Sequence, residues 1–121
     1  MAVNNLGLQM IGSFLRGLSP TSPKYMIFDA GSEQFFVDKY NAEDERLRKD
    51  VTWGALEIND SRCTCIVATT ELVGSYIYNV GLTTGSVDLG SDMVARETAA
   101  LGEKTQYQNW IMNIDWRNKS Y

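Results

Sequence analysis

The side chains that most often perform catalysis or bind metals are scarce in this sequence. Its 121 residues include no histidine, so the commonest general base and the commonest metal ligand are both missing. Nucleophile pairs of the Ser-His or Cys-His type are therefore excluded. The remaining candidates are two cysteines, one Gly-Glu-Lys-Thr segment and scattered carboxylates.

Cys63 and Cys65 are the only cysteines. On a strand they point to the same face, and a spacing of two residues disfavours a bond between them. Two thiolates without further ligands do not form a tetrahedral zinc site. We predict two small buried residues, with an intersubunit disulfide as the alternative.

Two other polar segments fail as motifs. Gly102-Glu103-Lys104-Thr105 lacks the glycines at the positions that a phosphate-binding loop requires. Asp88 and Asp92 share a glycine-containing loop, but their spacing does not match a calcium loop. The sequence thus predicts no catalytic, metal or cofactor site and favours a protein that is not an enzyme.

Composition limits the partners as well. A content of 44% hydrophobic and 21% charged residues is ordinary for a single soluble domain. The net charge of -4 argues against nucleic acid as a partner, because binding phosphates needs a basic surface. No apolar run approaches the roughly 18 residues of a membrane span, so we expect no membrane partner.

The clearest predicted element is a strand near the end of the chain. From residue 110 to 116, one side carries Trp110, Met112, Ile114 and Trp116, and the other side is polar except at Ile111. This alternation predicts a half-buried strand. Two tryptophans on one face need a facing sheet or subunit to cover them.

Further short strands are predicted before it, at 25–28, 51–58, 62–70, 72–82 and 93–98, with loops at 83–92 and 101–106. The runs at 51–58 and 62–70 flank turn residues and predict a hairpin. Residues 35–37 form a short apolar anchor, and 41–50 is predicted as a short helix from its i, i+4 charge pairs. The fold class is therefore mainly β, an antiparallel sandwich or barrel-like domain.

The opening segment is different in character. Residues 1–18 place large apolar side chains at spacings of three to five, which predicts an amphipathic helix; they are Leu6, Met10, Ile11, Phe14, Leu15 and Leu18. A linker rich in serine and proline follows, so we predict an arm at 1–23 and a β-rich domain at 24–121. The arm could cover the core, dock on a partner or, less in keeping with its single arginine, lie on a membrane.

The second half of the chain contains, in order, Asn79-Val80-Gly81-Leu82, a glycine-containing loop, Met93-Val94-Ala95-Arg96-Glu97, Glu103-Lys104-Thr105 and a strand ending in Ile114-Asp115-Trp116. This order resembles a pattern found in small structural proteins of tailed bacteriophages. The resemblance covers residues 25–117 and leaves out the arm. It implies a β-rich virion component on the capsid, neck or tail, assembled in the bacterial cytoplasm and without enzymatic activity.

The leading hypothesis is a capsid decoration, cement or fibre-base protein that forms a homotrimer and contacts other virion proteins such as the major capsid protein. Neck, tail or baseplate components are the alternatives within that class. The predicted interface consists of the six apolar arm residues together with Tyr76, Tyr78, Trp110 and Trp116. A glycan- or peptide-binding sandwich with exposed aromatic residues is the second hypothesis, and a hydrolase that uses carboxylates alone is the third.

Overall fold

The computed structural model describes residues 2–32, 36, 38–55, 60–85 and 93–117. Within these ranges the chain forms the helix α1 (Asn5–Leu15) and eight strands: β1 (Ala2–Val3), β2 (Tyr25–Asp29), β3 (Glu45–Asp50), β4 (Thr52–Trp53), β5 (Asp60–Val67), β6 (Tyr76–Thr83), β7 (Met93–Glu103) and β8 (Trp110–Arg117). The predicted mainly β class, with a helical segment at the start, is confirmed.

The described strands form two antiparallel sheets. The larger has the order β1-β7-β6-β2-β3, and the smaller has the order β4-β5-β8. The pairing of β4 with β5 confirms the predicted hairpin, although β4 has only two residues. In the rest of the strand predicted at 51–58, Gly54 and Ala55 are not in a strand, and residues 56–58 lie outside the described ranges. The predicted turn residues Asp60 and Ser61 belong to β5.

The two sheets pack face to face around one apolar core. It contains Met26, Phe28, Ile77, Val80, Leu82, Val94 and Ala95 from the larger sheet and Cys63, Cys65, Val67 and Ile114 from the smaller one. The alternation along β8 puts Ile114 into this core, with Trp110, Met112 and Trp116 packed against it. The facing sheet that the tryptophans require is thus supplied by the same chain.

The helix predicted at 41–50 is wrong. Its second half is the strand β3, in which Leu47 pairs with Phe28 and Lys49 with Met26 of β2. The charged side chains therefore find other partners than i, i+4 neighbours: Lys49 binds Glu71 at 2.7 Å. Pairing with a buried strand outweighs the few tenths of a kcal/mol that helical charge pairs contribute.

The predicted strand 93–98 is too short and the start of the loop predicted at 101–106 is wrong, because β7 continues to Glu103. Register pairs Gly102 with Ile77 and Glu103 with Tyr76, and this extends the ladder through the predicted loop. Of the residues predicted as an apolar anchor, Phe36 is exposed, whereas Phe35 and Val37 lie outside the described residues. Asp88 and Asp92 also lie outside them.

Part of the outer face of the larger sheet is covered as well, which the sequence did not predict. Ile27, Asn79 and Arg96 point away from the core, yet each is at most 2% exposed. The segment between β2 and β3 crosses this face. Asn79 Nδ2 donates to Gly31 O at 2.7 Å, and the backbone N–H of Met93 donates to Tyr40 O at 2.9 Å.

The opening segment is anchored to the domain by its first residues. Ala2 pairs with Arg96 and Val3 with Ala95 at the edge of the larger sheet. Gly7 allows α1 to approach β7 closely, since a Cβ at this position would lie 2.5 Å from Val94 O. The first residues of the predicted arm therefore contact the β-rich domain. The division at residue 23 and the docking role of the segment stay predictions.

Candidate docking surface

The start of α1 is fixed by one buried side chain. Asn4 is the N-cap, and its Oδ1 accepts a hydrogen bond from the backbone N–H of Gly7 at 2.9 Å. Its Nδ2 donates to Met93 O at 2.6 Å and to Lys39 O at 2.8 Å. Asn4 thus joins the helix, β7 and the segment that covers the larger sheet.

The end of α1 is fixed by backbone geometry. Gly17 has a φ of +76°, and its N–H donates to Phe14 O at 3.0 Å. The N–H of Leu18 donates to Ser13 O at 3.0 Å. These two bonds form a Schellman motif, which satisfies carbonyls at the helix end and holds Leu18 beside the last turn.

The two halves of α1 have different surroundings. The first half packs on the domain through Leu6 and Gly7. The second half forms one wall of an open groove of about 610 Å³. The groove is lined by Met10, Ile11, Phe14 and Leu15 of the helix, by Ser22 and Pro23, and by Trp53, Gly54, Ser61 and Trp116 of the smaller sheet and its hairpin.

The indole of Trp53 is oriented by a hydrogen bond at the rim of this groove. Its Nε1 donates to Pro23 O at 2.8 Å, so the polar atom of the ring is satisfied within the chain. The rest of the ring is free to contribute apolar area. The hydroxyl groups of Ser22 and Ser61 are the polar side-chain groups that the described lining adds, so the groove is suited to an apolar occupant.

Three large apolar side chains at the C-terminal end of α1 are exposed, and two of them, Phe14 and Leu15, also line the groove. Phe14 is 50% exposed, Leu15 83% and Leu18 60%. We call these three residues the α1 patch. Burying one large apolar side chain contributes roughly 1.5–3 kcal/mol, so covering the α1 patch would contribute several kcal/mol to an association.

The structure brings half of the ten predicted interface residues together. Met10, Ile11, Phe14, Leu15 and Trp116 line the groove, and Leu18 lies next to it in the Schellman motif. Leu6 and Trp110 instead pack against the protein's own core. Trp53 completes the groove, although it was not among the ten predicted interface residues. The sequence indicated only an aromatic residue on the predicted strand 51–58.

Tyr76 and Tyr78 lie elsewhere, on β6 of the larger sheet. Their ring centroids are 4.5 Å apart with an interplanar angle of 38°, and the side chains are 45% and 37% exposed. They form a small aromatic surface that is separate from the groove. Two adjacent rings of this kind can stack on a flat or apolar ligand.

The cysteines are buried free thiols, as the first of the two interpretations predicted. Burial raises the pKa of both Cys63 and Cys65 to about 11, so each is protonated at neutral pH. Cys65 Sγ lies 3.5 Å from Met26 Sδ inside the core. A neutral, enclosed thiol is a poor nucleophile.

The buried carboxylate of Asp29 binds backbone N–H groups of the same chain. Its Oδ1 accepts hydrogen bonds from the backbone N–H groups of Gly31 at 2.8 Å and Asp44 at 2.9 Å. These bonds shape the turn after β2. The described residues contain no cluster of three or more His, Cys, Asp or Glu side chains that could hold a metal ion.

At eleven residues α1, the one helix in the described part of the chain, is too short to cross a bilayer. Comparison with known proteins gave no match to any family model, to any curated protein or to any solved structure. The features of this protein that bear on its function are the groove, the α1 patch and the sequence pattern of the second half.

Proposed function

We propose that this protein is a non-enzymatic structural component of a bacteriophage virion, which associates with copies of itself and docks on another virion protein through the α1 patch and the adjoining groove. The observation that carries the proposal is the exposure of Phe14, Leu15 and Leu18 beside a groove walled by two tryptophans. Such a surface is suited to an apolar segment of a partner.

The resemblance of the second half to phage structural proteins supports a role in a virion. The segments that carry it form β6, β7 and β8, which build most of the core, whereas the α1 patch lies outside them. A shared β domain with its own docking surface is what a decoration, cement or fibre-base protein on the capsid requires. Neck, tail or baseplate attachment uses the same surface and stays the alternative within this proposal.

The test compares two leucines of the same helix. Leu15→Ser removes an 83% exposed side chain that lines the groove. Leu8→Ser removes one that is 57% exposed and lies outside the groove lining. Both are surface changes, and each should alter the free energy of unfolding by no more than about 0.5 kcal/mol.

The measurement is the amount of each variant in purified particles of the phage that carries the gene, by quantitative mass spectrometry. We expect incorporation of Leu15→Ser to fall by about tenfold, since roughly 1.4 kcal/mol of apolar burial is a factor of ten in affinity. Leu8→Ser should be incorporated like the wild type. Equal incorporation of both variants would show that the groove is not the docking surface, and absence of the wild type from particles would overturn the virion proposal.

A second candidate function is favoured by the exposed Tyr76–Tyr78 pair, which could stack on a sugar ring. In that case the protein would be a glycan-binding module. A saturable change in tryptophan fluorescence on titration with cell-wall glycans would favour it. A change that depends only on protein concentration would favour self-association.

A further inference from the structure

In the described part of the chain, one edge of β8 has no strand partner. All eight of its residues pair with β5, from Trp110 opposite Val67 to Arg117 opposite Asp60. Among the described strands none pairs with its other side. The backbone N–H and C=O groups that point away from β5 have no strand partner among the described residues, and an edge of this kind can pair with another strand.

The other long edge of the molecule is protected, and β8 is not. The edge strand β3 has the sequence Glu-Arg-Leu-Arg-Lys-Asp, with charge on five of six residues. Charged side chains on an edge discourage a second strand from adding to it. The sequence of β8, Trp-Ile-Met-Asn-Ile-Asp-Trp-Arg, has two charged residues in eight, and its Asp115 already binds Arg62 at 2.7 Å.

On its core-facing side the apolar pattern of β8 is the same in both directions, whereas on the outer side Ile111 corresponds to Asp115. Tryptophan stands at each end, at 110 and 116, with Met112 and Ile114 between them on the same face. A two-fold contact requires this property, because each residue must meet its counterpart in reverse order. Asn113 lies at the midpoint of the pattern.

We propose that β8 pairs antiparallel with β8 of a second copy of this chain, about a two-fold axis at Asn113. Trp110 of one copy then faces Trp116 of the other, and Met112 faces Ile114. All four apolar positions are matched on the core side of a continuous six-stranded sheet. A shift of two residues in either direction breaks both tryptophan pairs, so the central register is favoured.

On the outer face this register sets Ile111 opposite Asp115 of the second copy, a carboxylate that Arg62 already binds at 2.7 Å. Asn113 faces Asn113 of the second copy, and two amides can bond to each other across an axis. Ile111 is 68% exposed and its β5 neighbour Ile66 is 56% exposed, which adds apolar area on this face. This pairing rests on the proposed function only in that copies of the chain associate. The contact gives two-fold pairs, whereas the sequence predicted a trimer.

The first experiment uses a matched pair of lysine variants. Asn113→Lys places two like charges opposite each other on the axis. Thr64→Lys adds the same charge one strand away from the edge. Because Thr64 Oγ1 donates to Asn113 Oδ1 at 2.8 Å, both variants also break the same hydrogen bond.

Light scattering coupled to size-exclusion chromatography, over a range of concentrations, gives the mass of each protein. We expect the wild type and Thr64→Lys to have the mass of two chains, and Asn113→Lys to raise the dissociation constant by about tenfold. Circular dichroism of each variant verifies that the fold is kept. A wild-type monomer at every concentration, or a three-chain mass that Asn113→Lys leaves unchanged, overturns the pairing.

The second experiment detects the register directly. Residues that face each other in an antiparallel pair have Cβ atoms within about 5.5 Å, near the range of a disulfide. We expect Asn113→Cys to form a reducible dimer on mild oxidation, and Thr64→Cys to stay monomeric under denaturing electrophoresis. The native cysteines are buried and should not interfere. No cross-link from Asn113→Cys overturns the central register, whereas loss of virion incorporation in the leucine test bears only on the docking surface.

Discussion

Glu71 connects three parts of the chain through one carboxylate. Its Oε1 accepts hydrogen bonds from Lys49 Nζ at 2.7 Å and from the backbone N–H of Ala68 at 2.9 Å. The bond from Lys49 is the largest cause of a lowered pKa for Glu71, followed by the one from Ala68. The buried Lys104 lowers it further. The ionised form is thus favoured in the folded state.

This pKa shift makes stability depend on pH in a defined direction. A carboxylate whose pKa is lowered by folding contributes stability above its unfolded pKa, which is about 4.3 for Glu, and loses it as pH falls through the folded value. We expect Glu71→Gln to lower the free energy of unfolding by about 1 kcal/mol at pH 7 and by progressively less below about pH 4.

Urea unfolding followed by fluorescence at a series of pH values measures this difference. The control is Glu103→Gln, which removes the same charge at an exposed position at the end of β7. A gap between Glu71→Gln and the wild type that does not shrink on acidification would show that the ion pair is not its cause.

At the scale of elements, α1 depends more on its first capping residue than on its intrinsic helix propensity. The helix contains two glycines, each of which costs about 1 kcal/mol relative to Ala. Asn4 compensates with three hydrogen bonds from a fully buried side chain. Without them, the carbonyls of Met93 and Lys39 would lose a donor.

We therefore expect Asn4→Ala to lower the free energy of unfolding by about 2–3 kcal/mol, the sum of a lost N-cap and of buried groups left without a partner. The neighbouring Asn5→Ala, at an exposed position of the first turn, should change it by less than about 0.5 kcal/mol. Chemical denaturation of both variants provides the measurement. Similar values for the two would contradict the role given to Asn4.

The elements that could be predicted from the sequence are those with an apolar residue at every second position on one face. Along β5, Cys63, Cys65 and Val67 face the core, as their period of two indicated, and β8 follows the same rule. The strand β3 could not be predicted in this way, because its charged residues form a protected edge and only Leu47 packs against the core. Its conformation is decided by pairing with β2, which is a long-range interaction.

The groove, too, could be predicted from the sequence only in part. Its helical wall was predicted from the spacing of Met10, Ile11 and Phe14, because helical periodicity is local. Its other wall joins Trp53 and Trp116, which are 63 positions apart and meet only through β5. Local patterns identified each tryptophan as apolar and aromatic but contained no information on which ones share a cavity.

At the scale of the whole molecule, the opening segment belongs to the sandwich. Val3 and Leu6 pack against the core, and β1 forms an edge of the larger sheet. The sequence predicted an arm at 1–23 and a β-rich domain at 24–121, and on that division a chain without residues 1–18 should still fold. With β1, Asn4 and α1 removed, the domain loses two apolar contacts of roughly 1.5–3 kcal/mol each in addition to the bonds of Asn4.

Deletion of residues 1–18 should therefore destabilise the domain by about 5 kcal/mol or more, a large part of the 5–15 kcal/mol typical of a native protein. Urea unfolding of the truncated chain should show a much lower midpoint, or no cooperative transition. Leu15→Ser, which alters only the exposed part of the same segment, should keep the wild-type midpoint. Loss of assembly on truncation would then reflect unfolding, and loss in Leu15→Ser would reflect docking. A truncated chain that unfolds at the wild-type midpoint would show instead that the segment is an independent arm.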